Sequence, residues 1–307
     1  MPSLTSLPHT IRIFERGWLS SNNILLTGRD EACLVDTGYV THADQTLSLV
    51  RHALGRRPLD RIVNTHLHSD HCGGNAALHA AYACRIAIPA AECAKVAAWD
   101  EDALSFNATA QQCPRFTFDE ALVPGQSLRM GDLDWLMLAA PGHDPHALLL
   151  WCAQEGVLIS GDALWQNGFG VVFPELAGEP GFDDVRATLD LIGTLDARLV
   201  IPGHGAPFID VADALQRAHG RLEMLAADPV RNAQNAAKVL LKFLLLERRR
   251  IPVTEVATLC ATVPLLVRVR ERFLHMTGAG LAAWLVRGLV GVRAARLEGD
   301  MLVDTDG

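Results

Sequence analysis

Thr65-His66-Leu67-His68-Ser69-Asp70-His71-Cys72-Gly73-Gly74 sets three imidazoles and a carboxylate almost side by side. The run before it, Arg61-Ile62-Val63-Asn64, reads as a short buried strand. In an extended chain alternate side chains share a face, so His66 and His68 point one way and Leu67 the other. Two histidines so placed can hold one cation. Past His68 the chain must turn, which aims Asp70 and His71 at a second ion close by. Gly73-Gly74 allows a tight bend, and Asn75-Ala76-Ala77-Leu78 starts a helix. Imidazole and carboxylate donors together suit a zinc-class divalent cation better than calcium or magnesium, which prefer oxygen. The competing reading is a chance cluster of surface histidines, and the position directly after a strand speaks against it.

Three more polar stops follow apolar runs. Pro141-Gly142-His143 comes after Trp135-Leu136-Met137-Leu138, Ser160-Gly161-Asp162 after Val157-Leu158-Ile159, and Pro202-Gly203-His204-Gly205 after Leu199-Val200-Ile201. Together with His66-x-His68-x-Asp70-His71, this order resembles the signature of the metallo-β-lactamase superfamily. The resemblance implies an α/β fold, a four-layer αββα sandwich over residues 1–210. It implies a small helical, winged-helix-like domain over 211–307, as in some hydrolases of that fold. By the same resemblance His66, His68 and His143 bind one metal, Asp70, His71 and His204 bind the other, and Asp162 bridges them. Two divalent ions follow, zinc first, with iron or manganese compatible with the same ligand types. Two dications on two carboxylates leave residual positive charge, which acidifies bound water and favours an oxyanion beside it. A bridging hydroxide is then the nucleophile, Asp70 a catalytic proton acceptor, and the reaction hydrolysis of a carbonyl ester, thioester or lactone of a small molecule.

Departures from the family pattern narrow the choice. Asp162 stands where zinc β-lactamases typically place a cysteine. Acyl-homoserine lactonases typically use a tyrosine near the bridging aspartate, whereas the only tyrosines here are Tyr39 and Tyr82. The expected chemistry resembles that of glyoxalase II, but its glutathione-binding basic residues have no counterpart that the sequence identifies. Relatives carry a second histidine four residues after the first in Pro-Gly-His; here His146 comes three after His143, so it is not expected to be a ligand. The alternatives are a nucleic-acid phosphodiesterase on the same dimetal site, a mononuclear-iron persulfide dioxygenase, and an idle binding module. The complete ligand set argues against the last.

With 307 residues, half of them hydrophobic and 20% charged, the chain can fill one large core and a smaller one. Residues 211–307 carry 14 Lys and Arg against 10 Asp and Glu, a net +4, which leaves the first 210 at net −12. So acidic a domain is a poor collector of polyphosphate, and nucleic acid is not expected as a partner. No signal peptide is read at Met1–Thr10, and the apolar run 239–246 is too short to cross a bilayer. Seven cysteines without a Cys-x-x-Cys pair suit reduced thiols. A cytoplasmic protein is expected.

The rest of the chain fits around the motifs. Residues 11–14, 23–26 and 32–35 read as a β-meander ending at Asp36-Thr37-Gly38. Asp36 either supports the metal loop or caps the next helix; His42, His52 and His79 read as surface residues. Residues 89–118 read as a cap over the metal groove or an ordinary insertion, with a helix at 90–99. Strand patterns return over 120–140, and 148–159 forms a hairpin. Trp165, Phe169 and Phe173 are candidates for a pocket wall. A helix is expected at 183–195, then helices at 211–225, 232–249, 254–262 and about 280–289, and a hairpin over 293–303. Ile251-Pro252 separates two of those helices. Arg248-Arg249-Arg250 is expected to be a solvated helix end. Leu240, Leu241, Leu244 and Leu245 recur at helical spacing, a face that the metal domain or a second copy in a homodimer would cover.

Overall fold

The fold is described over residues 7–305 from a computed structural model. Its first sheet runs in sequence order: β1 (Ile11–Phe14), β2 (Asn23–Thr27), β3 (Ala32–Val35), β4 (Arg61–Val63), β5 (Arg85–Pro89) and β6 (Glu120–Leu122). The first three are an antiparallel meander, and β3 to β6 pair in parallel. Parallel neighbours require crossovers. These are α1 (Ala43–Leu54), then α2 (Ser69–Cys72) with α3 (Asn75–Tyr82), then α4 (Cys93–Ala98) with α5 (Phe106–Thr109). The second sheet contains β7 (Ser127–Met130), β8 (Leu133–Ala139), β9 (Leu148–Cys152), β10 (Val157–Gly161) and β11 (Leu199–Pro202), in spatial order β11-β10-β9-β8-β7. Its one parallel pair, β10 with β11, is joined through α6 (Phe173–Ala177) and α7 (Gly181–Thr194).

The central strands of each sheet are buried on both faces, and the alternation of side chains sorts them into three cores. Ile24, Leu26, Val35 and Val63 meet Trp135, Met137, Leu150 and Ile159 between the sheets. Leu25, Leu34, Ile62 and Ile86 face Val50 and Leu54 of α1 and Leu78 of α3 on one outer side. Leu149, Trp151, Leu158 and Val200 face α7 on the other, together with Ala214, Ala218, Leu222 and Leu225 of α8 (Val211–Ala227). The result is the four-layer αββα sandwich.

A second unit follows: α9 (Pro229–Arg248), β12 (Arg250–Pro252), α10 (Val253–Thr262), α11 (Pro264–Arg268), α12 (Gly278–Gly291), β13 (Ala295–Glu298) and β14 (Met301–Asp304). It combines helices with a three-stranded sheet in the order β12-β14-β13, an arrangement we propose to be winged-helix-like. Pro229 opens α9, where a missing N–H costs nothing, so the helix begins earlier than its periodicity suggests. Ile251 pairs with Leu302 as part of a strand instead of merely separating two helices; no local signal reveals a partner so far along the chain. We propose two units, with α8 belonging to the sandwich by packing although it follows residue 210.

Leu240, Leu241, Leu244 and Leu245 are covered mainly by their own unit, with Val171 and Leu176 of the sandwich completing the cluster. They are buried with Val256, Cys260, Leu266, Leu281 and Leu285, because α10 to α12 fold back on α9. A different side of α9, Phe243 and Leu246, packs on Leu19 and Tyr39 of the sandwich. Arg248, Arg249 and Arg250 pair with Glu255, Asp304 and Glu298 at 2.7, 2.6 and 3.0 Å. His42 is half-buried, 2.9 Å from Ser20 Oγ, and not the surface residue its helix suggested; His52 and His79 are exposed.

A chain ended after Phe208 loses α8 and bares the outer core of the second sheet, so it should elute as aggregate in size-exclusion chromatography. One ended after Asp228 keeps α8 and should give appreciably more soluble monomer. Equal behaviour of the two would show that α8 does not complete the sandwich.

Candidate metal centre

Strand direction brings the motifs together. β8 and β10 both run antiparallel to β9, and β11 runs parallel to β10, so all three end at one edge. Their ends deliver His143, Asp162 and His204. The ends of β3 and β4 join them from the other sheet: Leu148 N donates to the Thr65 carbonyl at 2.9 Å. Ligand sites form at the carboxyl ends of parallel strands for this topological reason.

All seven sequence-predicted residues are gathered there, in overlapping groups whose candidate donor atoms lie within 4.8 Å of one another: His66, His68 and His143; Asp70, His71 and His204; and His66, His71 and Asp162. Asp162 lies between the first two groups. Its Oδ2 is 3.4 Å from His143 Nε2 and 3.8 Å from His204 Nε2, and its Oδ1 is 3.5 Å from His71 Nε2. Asp70 Oδ2 is 3.1 Å from His204 Nε2.

The proton arithmetic of this cluster calls for a cation. Thr65 Oγ1 donates to Asp36 Oδ2 at 2.8 Å, so it accepts from His66 Nδ1 at 3.1 Å and leaves His66 Nε2 a lone pair. His143 Nδ1 donates to the Val171 carbonyl at 2.6 Å, which leaves its Nε2 a lone pair too. Both lone pairs face His68 Nδ1, at 3.2 and 2.8 Å. One proton cannot serve both. His71 Nδ1 donates to Asp36 Oδ2 at 2.8 Å, so its buried Nε2 faces the Asp162 carboxylate without a hydrogen-bond partner. Acceptors opposed in a buried site are costly, and a cation between them removes the cost. The donor set therefore fits two divalent ions.

Titration behaviour points the same way. Burial, with the neighbouring imidazoles His71, His68 and His143, pushes His66 well below its ordinary value. Burial and then His68 bring His143 down to about 4, and burial lowers His68. These three are neutral imidazoles with lone pairs to offer. Burial also works against a proton on His71, but Asp36 and Asp162 outweigh it and hold that pKa well above the usual range. The carboxylates draw positive charge to this position, whether a proton or a metal supplies it.

Several supporting groups surround the cluster, some of them with no sequence signal of their own. Asp36 does support the metal loop: besides the two bonds to its Oδ2, its Oδ1 accepts from Thr65 N at 2.9 Å. The polar run Ser20-Ser21-Asn22-Asn23 is fully buried. Ser21 N donates to the Asp70 carbonyl at 2.9 Å, and Asn22 Nδ2 donates to the carbonyls of Pro202 and Gly205 at 2.9 and 2.7 Å, which fixes both arms of the second trio. Only glycine fits before His204, because a Cβ on Gly203 would lie 2.2 Å from Asp162 Oδ1. Trp18 stacks on His204 with ring centroids 5.4 Å apart, and Trp165 Nε1 donates to Asp162 Oδ1 at 3.2 Å.

His146 lies outside the cluster. Its Nδ1 pairs with Glu92, and Lys95 Nζ is 2.8 Å from the same carboxylate. Glu92, Asp144 and His146 converge as a further group, in which Lys95 already supplies the positive charge. The candidate centre opens into a cavity of about 620 Å³. Trp165, Phe169 and Phe173 do line it, and α9 contributes Val239, Leu240 and Phe243.

Asp36→Ala should leave the candidate ligands in place but weaken metal affinity by about 10–100-fold, the usual effect of removing a carboxylate behind a ligand histidine. Metal titration of the stripped variant followed by calorimetry checks this; unchanged affinity would assign Asp36 to the turn alone.

Residues 16–204 match the family model described as Metallo-beta-lactamase superfamily. The chain is 29% identical over 121 residues to the hydroxyacylglutathione hydrolase of Rhodospirillum rubrum, covering 39% of this chain and 40% of that one. It is 31% identical over 172 residues to that of Acidiphilium cryptum, covering 55% and 59%. The matches thus span roughly half the length of these relatives. Among solved structures, the metallo-beta-lactamase family protein TTHA1429 from Thermus thermophilus shares the fold, with a TM-score of 0.56 and 21% identity across 97% of this chain and 99% of that one. With the matched segment spanning most of the sandwich and every motif that builds the centre, this chain belongs to the metallo-beta-lactamase superfamily.

Proposed function

We propose that this protein is a dinuclear metal-dependent hydrolase that cleaves a carbonyl ester, thioester or lactone bond of a small molecule. The observation that carries this reading is the pair of donor trios flanking Asp162, opening into a cavity of about 620 Å³, a size suited to a small-molecule ligand. The thioester arm draws support from the relatives named hydroxyacylglutathione hydrolase.

His66, His68 and His143 would hold one ion, Asp70, His71 and His204 the other, and Asp162 both. Zinc suits these donors best, and iron or manganese use the same ligand types. When bound, such a pair supplies a hydroxide nucleophile and a Lewis acid for the carbonyl oxygen. The surrounding residues orient and enclose. Asp36 keeps His71 turned toward Asp162, and the Val171 carbonyl does the same for His143. The Trp165 N–H holds one oxygen of Asp162. Asp70 lies on the cavity wall, and its carboxylate would take up a proton during turnover. Phe173, Leu240 and Phe243 offer an apolar wall to an acyl group.

A nucleic-acid substrate is disfavoured because Arg248, Arg249 and Arg250 are each engaged by a carboxylate of their own unit. A cytoplasmic location fits seven free cysteines. Among the described residues no single helix is long and apolar enough to cross a membrane.

Asp162→Ala should lower the metal content and reduce turnover by several orders of magnitude, whereas His146→Ala should keep both metal equivalents. Elemental analysis of the purified variants, with a thioester, lactone and phosphodiester panel on one metal-loaded sample, tests both. Full occupancy and near-normal turnover in Asp162→Ala would sink the proposed bridge; a lost equivalent in His146→Ala would recruit that residue as a ligand.

A further inference from the structure

Arg221 projects from α8 into the lining of the same cavity. Its guanidinium lies over the Phe169 ring, 5.0 Å from the centroid. Gly168 leaves it room, since a Cβ there would come within 2.8 Å of Nη1. The next glycine along, Gly170, gives the same clearance to His143, so one short loop seats both the guanidinium and a candidate ligand. Lys95, Arg221 and Arg268 line the cavity, and of the two without an ion pair among the described residues only Arg221 is seated on an aromatic ring. Lys95 is committed to Glu92, and Arg217 to Asp210 at 2.8 Å. No carboxylate of the described residues lies within ion-pair distance of Arg221, and burial alone lowers its pKa, with no acidic neighbour to compensate. Asn235 of α9 lines the cavity with it and adds a neutral amide to that wall. A partly buried guanidinium without an anion has its desolvation uncompensated, and five fixed donors wait for an acceptor.

We propose that Arg221 is a specificity residue that binds a carboxylate carried by the substrate, so that the preferred substrate is an acyl compound with a singly charged acidic arm. One guanidinium matches one carboxylate in a bidentate pair. A more highly charged phosphate arm would be opposed by the acidic domain around it, net −12 over residues 1–210. The apolar wall from α9 takes the hydrocarbon part. This assignment rests on the proposed hydrolysis, in which the scissile carbonyl lies at the donor cluster.

The test compares two thioesters on metal-loaded full-length protein, S-octanoyl-3-mercaptopropionate and its methyl ester. Wild type should favour the acid by about tenfold or more in kcat/KM, mostly through KM, as expected for a charge-assisted pair. Arg221→Gln should collapse that ratio toward one, and Arg221→Lys should restore part of it. A merely structural role would change both substrates alike. A ratio near one in wild type, or a preference that survives in Arg221→Gln, overturns the proposal. Failure of both thioesters to react would count against the hydrolase reading, and binding then decides the role of Arg221 alone. In calorimetry 3-(octylthio)propionate should bind more tightly than its methyl ester to wild type but not to Arg221→Gln; an equal advantage in both proteins overturns it.

Discussion

The Asp36 carboxylate is the constraint on which the centre depends. It accepts from Thr65 N, Thr65 Oγ1 and His71 Nδ1, and so ties the end of β3 to both ends of the metal loop. The residue pays for this with a left-handed backbone, φ 55°, a conformation that aspartate tolerates better than most side chains. Around it the lacing continues. Thr37 N donates to the His71 carbonyl at 2.7 Å, and Asn64 Nδ2 donates to the same carbonyl at 3.2 Å. The loop carrying four of the seven candidate donors is therefore held by a buried polar network before any metal arrives, which is how a donor set is kept open against collapse.

A second network decides where the cavity ends. Tyr39 Oη donates to Glu247 Oε1 at 3.0 Å and accepts from Gln112 N at 3.1 Å, while its ring meets Phe243 edge-on at 5.0 Å. One side chain thus joins the loop after β3, the 99–118 segment and α9. Burial, reinforced by Glu247, pushes its pKa upward, so it stays a neutral donor. The tie sets α9 across the candidate centre and makes a helix of the second unit a wall for the first. Phe173 extends the same wall from the sandwich side, with its ring 5.2 Å from His68. The second unit is in this sense part of the pocket, and its core takes in Val171 and Leu176 of the sandwich as well.

Sequence by itself determined which residue types end which strands. His66-x-His68-x-Asp70-His71, His143, Asp162 and His204 each follow an apolar run, and period-two burial with short glycine-rich stops is enough to place them at strand ends. The opening meander and the helix before the last ligand strand followed from the same local evidence, while the expectation that His146 is no ligand came from its departure from the spacing of the family it resembles. Only the tertiary structure decided what those ends meet. That Asp36 faces His71 instead of capping a helix, that Ser20-Ser21-Asn22-Asn23 is buried scaffold, and that β12 pairs with β14 all depend on partners distant in sequence. The apolar face of α9 was visible as a face, but its cover was not, because helical periodicity records that a side must be buried and not against what. Arg221 is the limiting case: a lone arginine on an amphipathic helix looks like solvated surface, and only the cavity wall, the ring beneath it and the missing carboxylate mark it as different.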